Sequence, residues 1–239
     1  MARYINKFTE EEIISVVIAY LYDGLSHRDI QKNILHLPTP QNGGGYISMD
    51  ILHYFNINGD KKGILDNTDI DNEIQSSSGE LKQILLKVKA YKTEEQAISA
   101  SIKSRNFNIA NRSTELTTET RIRLNQNVLR KHILNIYGHK CALCDIDKDD
   151  LLVCSHIKPW SIDERNRLNP KNAICLCALH DKLFDKGYFS LNENYDIIFG
   201  SKADTTIKNL FANLSFTRPI TDSPDVNLLK FHFDMICNS

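Results

Sequence analysis

Apolar residues recur at helical spacing through the first hundred positions of the chain. Isoleucine and valine at 13, 14, 17 and 18 lie three to four residues apart, which predicts an amphipathic helix over 10–22. Thr9 is a good N-cap for this helix, and three glutamates follow in its first turn, where negative charge is favourable. The same spacing predicts further helices over 26–34, 47–55 and 81–90. The N-terminal part is therefore predicted to be helical.

The polar character of the chain rises over 99–120, where serine, threonine and asparagine dominate. This composition predicts a linker between two domains. Beyond it, Ile122, Leu129, Ile133 and Ile136 predict another amphipathic helix that ends at Gly138. The predicted organisation is a helical N-terminal domain over 1–98, a linker over 99–120 and a second domain over 121–239.

The pattern changes from helical to strand-like after residue 150. The apolar run 151–157 and the shorter run 174–176 predict two strands of a hairpin, with a polar loop between them. A short amphipathic stretch over 179–186, closed by Gly187, predicts a helix. The second domain is thus expected to contain a ββα unit, and the predicted fold class is α+β.

Composition places the chain among globular proteins and excludes several other classes. Of the 239 residues, 41% are hydrophobic and 25% are charged, which excludes collagen-like and wholly disordered chains. No apolar run reaches the roughly 18 to 20 residues that a membrane span requires. The first residues contain no apolar signal core, so we expect a cytoplasmic protein with no membrane partner.

The near-neutral net charge of −1 conceals an uneven distribution. Residues 1–120 contain 13 basic and 16 acidic side chains, whereas the stretch 121–140 contains five lysines or arginines and no acid. Arg123, Gln126 and Arg130 share one polar face of the predicted helix, at spacings of three and four. Because no acid lies within this stretch, we expect these three side chains to contact DNA phosphates, although an ordinary solvated surface is the alternative.

Cysteine is concentrated in one part of the chain, since five of the six cysteines lie between 141 and 177. Without a secretion signal, clustered cysteines near histidine favour metal binding over disulfides. Cys141 and Cys144 form half of a zinc knuckle, and Cys175 and Cys177 would supply the other half at a tighter spacing. Two interpretations remain open: a structural Zn²⁺ held by these four thiols, or buried apolar thiols that pack the hairpin.

Three further polar residues meet in the predicted ββα unit. His156 ends the first strand, Asn172 follows the loop, and His180 lies on the helix. This arrangement suits metal-assisted hydrolysis of a phosphodiester, because an imidazole can deprotonate water while a cation stabilises the developing charge. The amide of Asn172 can hold the base of the loop and orient the histidine.

Four segments carry a resemblance to a known family. The chain resembles the HNH (ββα-metal) endonucleases, and within them the restriction-endonuclease-like subgroup, over about 121–199. The matching segments are Cys-Ala-Leu-Cys at 141, Ser-His-Ile-Lys-Pro-Trp at 155, Asn-Pro-Lys-Asn-Ala-Ile-Cys-Leu-Cys at 169 and His-Asp-Lys-Leu-Phe-Asp-Lys-Gly-Tyr-Phe-Ser at 180.

The resemblance implies a role for each residue of the constellation. His156 would be the general base, Asn172 would support the loop, and His180 would bind a catalytic Mg²⁺ or Mn²⁺. Many members have an acidic residue or histidine immediately before the base, whereas this chain has Ser155, a poor ligand. The second metal ligand would then be Asp185 or the neighbouring Asp181.

The function implied is that of a restriction or DNA-defence endodeoxyribonuclease acting on double-stranded DNA. Lys158 and Lys171 would add phosphate contacts to those of the basic helix. Cleavage of both strands by chains with one site each implies a homodimer. Two alternatives remain: a modification-dependent nuclease, and a non-catalytic DNA-binding module with an HNH fold.

Overall fold

A computed structural model describes residues 5–41, 45–67, 69–105, 116–159 and 161–238. Three features of the sequence lie partly or wholly outside these ranges. They are the glycine-rich loop at 42–44, the middle of the predicted linker at 106–115 and Trp160 of the Ser-His-Ile-Lys-Pro-Trp segment.

The predicted α+β class is confirmed, since a helical N-terminal region precedes a part that contains small sheets. The helices before the first strand are α1 (Glu10–Leu21), α2 (His27–Asn33), α3 (Ile47–Tyr54), α4 (Ile64–Asn67), α5 (Ile70–Ser76), α6 (Gly79–Ser104) and α7 (Thr118–Ile136). They are followed by β1 (Leu152–His156), β2 (Ala173–Cys177), α8 (Ala178–Asp185), β3 (Phe189–Leu191), β4 (Ile197–Phe199), α9 (Thr205–Asn209) and α10 (Val226–His232). A π-helical turn, Phe233–Cys237, follows α10.

Helix α1 begins where the sequence predicts it. The Thr9 hydroxyl accepts a hydrogen bond from the Glu12 amide at 3.2 Å, and the Thr9 amide donates to the Glu12 carboxylate at 2.7 Å. This reciprocal capping box satisfies two amides at the helix start that would otherwise lack partners. The apolar face of α1 is buried, including Ile14 and Val17, and packs on α2 and α3.

Two helices are longer than predicted. Helix α6 was expected over 81–90 but runs from Gly79 to Ser104, because buried Tyr91, Ile98 and Ile102 continue its apolar spacing through a polar sequence. Helix α7 begins at Thr118 rather than near residue 122. The predicted linker over 99–120 is therefore helical at both ends: it completes α6 and begins α7.

The predicted ββα unit forms with the expected connection. Strands β1 and β2 pair antiparallel, from Leu152 opposite Cys177 to His156 opposite Ala173. Helix α8 follows β2 directly, with Cys177 as its N-cap residue, and packs on both strands. A second hairpin, β3–β4, follows α8. The hairpin places His156 at the end of β1, where the loop to β2 begins.

The chain divides into two compact units. One comprises Met1–Gln96 and Asn111–Leu124, and the other comprises Ala97–Ala110 and Asn125–Ser239. The second unit contains the ββα unit, the β3–β4 hairpin and the C-terminal helices. No helix within the described ranges is both long enough and apolar enough to span a membrane.

Candidate active site

Asn172 closes the loop that joins β1 to β2. Its side-chain oxygen accepts from the Lys158 amide at 2.8 Å, and its amide nitrogen donates to the carbonyls of Lys158 and Asn166, each at 3.1 Å. The Ile157 amide also donates to the Asn172 carbonyl at 2.9 Å. Asn172 is only 1% exposed, so these bonds lie in a dry environment where they are costly to break. The two ends of the loop are thereby held together beside His156.

His156 is held in one tautomer by this loop. Its Nε2 lies 3.1 Å from the backbone carbonyl oxygen of Arg167. Because a carbonyl can only accept, Nε2 carries the proton and the lone pair is on Nδ1. Burial lowers the pKa of His156 below 6.5, and the bond to the Arg167 carbonyl opposes this only in part. His156 is therefore neutral at pH 7, the form that can accept a proton.

A cleft of about 310 Å³ contains His156 and two carboxylates of α8. Asp181 and Asp185 are four residues apart, so they lie on the same face of that helix. Burial and the neighbouring Asp181 raise the pKa of Asp185. The cleft is lined by Val153, Cys154, Ser155, His156, Pro159, Asp181, Asp185, His232 and Ile236.

Ser155 contributes a buried hydroxyl to this cleft. The residue is 2% exposed, and its Oγ has no hydrogen-bond partner within the described part of the chain. A buried hydroxyl without a partner is unfavourable, and such groups are uncommon in folded proteins. Ser155 thus lines the cleft together with His156, Asp181 and Asp185.

His232 lines the same cleft, but its ring is buried and both of its nitrogens contact neighbouring groups of the core. Its ring stacks on Phe184 at 3.7 Å between centroids, and its Nδ1 lies 3.0 Å from the Ser190 hydroxyl. Its Nε2 lies 3.2 Å from the Phe184 carbonyl. Burial lowers the pKa of His232 to about 4, so this ring is neutral at pH 7 and forms an uncharged part of the cleft wall.

A second group of candidate ligands comes from the segment before β1 and from the start of α8. The ligand atoms of Cys141, Cys144, Cys177 and His180 all lie within 4.8 Å of one another. His180 Nδ1 is 3.4 Å from Cys141 Sγ and 3.3 Å from Cys177 Sγ. Three thiols and an imidazole in this arrangement can hold a metal ion, and it is the one such group of histidine, cysteine or acidic residues found within the described ranges.

The membership of this group revises two predicted roles. Cys175, the predicted fourth thiol, is outside the group, and His180 is inside it. The reason is geometric: Cys177 and His180 are three residues apart around the start of α8, so the imidazole returns to the Cys177 thiol, whereas Cys175 lies opposite Cys154 within the strands. His180 is not among the residues that line the His156 cleft.

The sequence contained a signal for the group that the structure brings together. Cys177-Ala-Leu-His180 has the same spacing as Cys141-Ala-Leu-Cys144, with histidine in the place of the last cysteine. The prediction instead used Cys175 and Cys177, which are separated by one residue, as the second pair of ligands. Burial lowers the pKa of His180, which keeps its lone pair available to a metal at neutral pH.

Three of the five side chains predicted to bind DNA have partners within the protein. Arg123 pairs with Glu119, because α7 begins earlier than predicted and brings an acid into the helix. Arg130 donates to the backbone carbonyl of Asp149. Lys158 is 3.0 Å from the Asp163 carboxylate. The expectation of an acid-free helix face is therefore wrong at Arg123.

Gln126 and Lys171 remain at the surface. Gln126 is exposed on α7, and Lys171 is half-buried in the turn before β2. Neither position is tested as a DNA contact by the fold alone. Both remain predictions.

The comparison with protein families matches this region of the chain. Residues 141–192 match the HNH endonuclease family. The matched segment contains the Cys-Cys-Cys-His group, His156, Asn172 and both carboxylates of α8. This match confirms the resemblance to the HNH endonucleases, a family of nucleases, over residues 141–192, and it does not distinguish the restriction-endonuclease-like subgroup. A comparison with curated proteins found no match.

Proposed function

We propose that the protein is a metal-dependent endodeoxyribonuclease that hydrolyses phosphodiester bonds of double-stranded DNA, with His156 as the general base. The observation that carries the proposal is the cleft that places neutral His156 with two carboxylates and the Ser155 hydroxyl. The match to the HNH endonuclease family supports the reaction class.

The chemistry of His156 follows from its tautomer. Nδ1 accepts a proton from the attacking water, while Nε2 keeps its own proton and donates it in a hydrogen bond to the Arg167 carbonyl. That carbonyl also stabilises the imidazolium formed in this step, because both ring nitrogens are then donors. Asn172 is a positioning residue that keeps the loop, and hence the Arg167 carbonyl, in place.

The oxygen donors of the cleft fit a divalent cation of the magnesium type. Carboxylates suit Mg²⁺ or Mn²⁺. Burial, and after it the neighbouring Asp181 carboxylate, raises the pKa of Asp185. When bound, such a cation stabilises the charge of the transition state and of the leaving oxygen. We assign Asp181 and Asp185 as its ligands, with Ser155 beside them, in place of His180.

The Cys141, Cys144, Cys177 and His180 group suits a different ion. Soft thiolates with one imidazole are typical ligands of structural Zn²⁺ in a tetrahedral site. Burial raises the pKa of the Cys141 thiol, so in the absence of an ion this thiol is protonated. We propose that Zn²⁺ replaces these protons and joins the segment before β1 to the start of α8.

The biological role proposed is restriction or DNA defence in the cytoplasm by a homodimer. In this proposal the helical region over 1–98 recognises or positions DNA, with 99–120 as the connection to the nuclease domain over 121–239. A requirement for modified bases is a variant of the same role. A non-catalytic DNA-binding module is the second candidate, favoured by Ser155 standing where a stronger metal ligand would be expected.

Nicking of supercoiled plasmid tests the proposal. With Mg²⁺ present, His156→Ala is expected to reduce the rate by about 10²- to 10⁴-fold, the range for loss of a general base. His53→Ala is the matched control, because His53 is exposed in α3 of the other unit. Equal cutting by the wild type and His156→Ala would show that His156 is not the base, and absence of cutting by the wild type would favour the non-catalytic module.

A further inference from the structure

The unit that contains the ββα hairpin has a further cleft, which shares no lining residue with the cleft around His156. Its volume is about 400 Å³, and it is lined by the β3–β4 hairpin and by the segment 211–218. This volume is typical of ligand sites in proteins. Phe211 is buried in its wall, and three half-buried rings present part of their surface to it: Tyr195, Phe199 and Phe216.

The rings at one side of this aromatic cleft contact one another in series. The Arg218 guanidinium lies over the Tyr195 ring, with its Cζ 4.4 Å from the ring centroid. Tyr195 stacks on Phe216, with 5.6 Å between the centroids and 15° between the ring planes. The Tyr195 hydroxyl donates to the Pro224 carbonyl at 2.9 Å, which fixes the direction of this ring. A cation and two nearly parallel rings are therefore held in place without a ligand.

Two cations beside the aromatic cleft have no acidic partner among the described residues. Arg218 is exposed, and its contact there is with the Tyr195 ring. Lys208 is also exposed, and its Nζ lies 5.9 Å from the centroid of the Phe199 ring. Asp196 is the one acid among the lining residues, and its carboxylate accepts from the Asn192 side chain at 3.1 Å. Positive charge is thus in excess at the edge of the cleft.

Aromatic surface bordered by cations suits an unpaired nucleotide. A base stacks on aromatic side chains through its π-face, and neighbouring lysine or arginine side chains contact the backbone phosphates. The bases of a duplex are not available for this contact, because they are paired and stacked on one another. An uncharged apolar ligand would use the rings but neither Arg218 nor Lys208. Both features of the cleft are used together by a nucleotide.

We propose that the aromatic cleft binds an unpaired nucleotide of a single DNA strand. The base stacks on Phe216, and Arg218 and Lys208 contact the phosphates that flank it. The site shares no residue with the His156 cleft, so binding there goes beyond the proposed hydrolysis and does not depend on it.

Binding of a short single strand tests the stacking contact. The probe is fluorescein-labelled oligo(dT) of about eight nucleotides, and the protein is the full chain with His156→Ala, so that cleavage does not interfere. Adding Phe216→Leu should weaken binding about tenfold, because leucine occupies space but has no π-face. Adding Phe216→Tyr, which keeps the ring, should change the affinity by no more than about twofold. Fluorescence anisotropy measures each affinity.

Salt dependence tests the phosphate contact separately. Each phosphate contact with a single strand contributes about 0.7 to the slope of log affinity against log salt concentration. Arg218→Gln should therefore reduce the magnitude of this slope by about 0.7, whereas Phe216→Leu should leave it unchanged. Lys230→Gln is the matched control, because Lys230 is exposed on α10, pairs with Asp234 and lines a different cleft. This control should keep the parent slope.

Two kinds of result would overturn the site. Parent affinity in Phe216→Leu together with parent slope in Arg218→Gln would show that the strand binds elsewhere. Equal affinity for a duplex of the same length, or for thymidine 5′-monophosphate, would show that the ligand is not an unpaired nucleotide within a strand. If Phe216→Leu lowers the melting temperature, the exposed Arg218 decides through its slope, because its substitution leaves the packing intact.

Failure of this site is distinguishable from failure of the nuclease function. A wild type that nicks plasmid but does not bind oligo(dT) removes the site and leaves the nuclease function intact. A wild type that binds oligo(dT) with the expected variant effects but nicks no plasmid removes the nuclease function and leaves the site.

Discussion

Burial and a backbone carbonyl act on the pKa of His156 in opposite directions. Burial disfavours the imidazolium and lowers its pKa, whereas the Arg167 carbonyl favours it. The net pKa is below 6.5, so the neutral base predominates at pH 7. The same carbonyl selects which nitrogen carries the lone pair. Burial therefore keeps the base neutral, and the backbone contact sets the direction of its lone pair.

The pH dependence of nicking should report this pKa. A general base works when neutral, so we expect a constant single-turnover rate above about pH 7. Below the pKa of His156 the rate should fall about tenfold per pH unit, with a midpoint below 6.5. The residual activity of His156→Ala, measured over the same range, should lack this step. A midpoint above 7 would contradict the assignment.

The Glu10 carboxylate of the N-terminal unit has a strongly lowered pKa. Burial raises its pKa, but hydrogen bonds from Lys87, Thr117 and Thr120 outweigh burial and lower it from 4.5 to about 2. The carboxylate accepts from the Thr120 hydroxyl at 2.7 Å and lies 2.8 Å from the Lys87 amine. A depressed carboxyl pKa stabilises the fold above 4.5, and this contribution is lost as pH falls towards 2.

Glu10→Gln should therefore destabilise the protein in a pH-dependent way. At pH 7 we expect a loss of roughly 1–3 kcal/mol in the free energy of unfolding, the value of hydrogen bonds to a charged group. At pH 3 the loss should be about half or less. Urea unfolding at both pH values measures it, with exposed Glu80→Gln as the control. An equal loss at both values would assign the effect to packing rather than to ionisation.

At the scale of elements, α8 joins the two candidate metal sites. His180 and Asp181 are adjacent in this helix, so they point about 100° apart, one to the thiols and the other to the cleft. The N-cap residue Cys177 is itself a member of the thiol group. An ion at the start of α8 would therefore fix the orientation of this helix and, with it, of the Asp181 and Asp185 carboxylates.

Metal content distinguishes the observed ligand set from the predicted one. We expect one Zn²⁺ per chain in the purified protein, measured by atomic absorption. Cys177→Ala and His180→Ala should lose the ion and lower the melting temperature by several degrees, since a structural site contributes folding free energy. Cys175→Ala is the matched control and should retain zinc, because Cys175 is buried outside the group. Loss of zinc in Cys175→Ala would instead support the four thiols that the sequence predicted as ligands.

The C-terminal segment is held against β4 and the end of α8 by close backbone contact. The Ser201 amide donates to the Cys237 carbonyl at 3.2 Å, and the Gly200 amide donates to the Tyr188 carbonyl at 3.0 Å. A Cβ atom at Gly200 would overlap the carbonyl oxygens of Gly187 and Cys237. Glycine is therefore required at position 200 by space rather than by a backbone angle.

Gly200→Ala should destabilise the nuclease domain by roughly 1–3 kcal/mol, the cost of overpacking a site that cannot relax freely. Gly59→Ala is the control, because a Cβ there meets no atom within 4 Å. Thermal unfolding of the two variants measures the difference. If both variants melt with the wild type, the C-terminal segment is not packed as tightly as this contact implies.

At the scale of the whole molecule, the net charge of −1 leaves no general attraction to DNA. Affinity must then come from local groups, and several predicted groups are engaged within the protein, including Arg123 and Lys158. Two copies of a modest patch bind DNA more firmly than one, because the second contact is intramolecular. This is a physical reason to expect a dimer.

Oligomeric state and product order test the dimer together. We expect a sedimentation mass near twice the 27.4 kDa of the chain, and linear DNA formed without much nicked circle, since two copies of His156 would cut both strands in one encounter. Dilution below the dimer dissociation constant should shift the product towards nicked circles. A monomer that linearises plasmid in one encounter would contradict the proposal.

The outline of the fold was readable from local pattern. Capping by Thr9, the spacing of Ile13 to Ile18 and the run 151–157 predicted elements that the structure contains, because cap bonds and periodic burial act over a few residues. The extent of α6 was missed because its later turns are polar and its burial depends on distant neighbours.

The sequence by itself determined the α+β class, the ββα unit and the HNH resemblance, since each depends on residue type and short spacing. Only the tertiary structure decided that His180 joins the thiols and Cys175 does not, and that Asp181 and Asp185 share a cleft with His156. It also decided that Glu119 pairs with Arg123. The physical reason is common to all three: which ligands and charges meet depends on where a helix begins and which way its side chains turn.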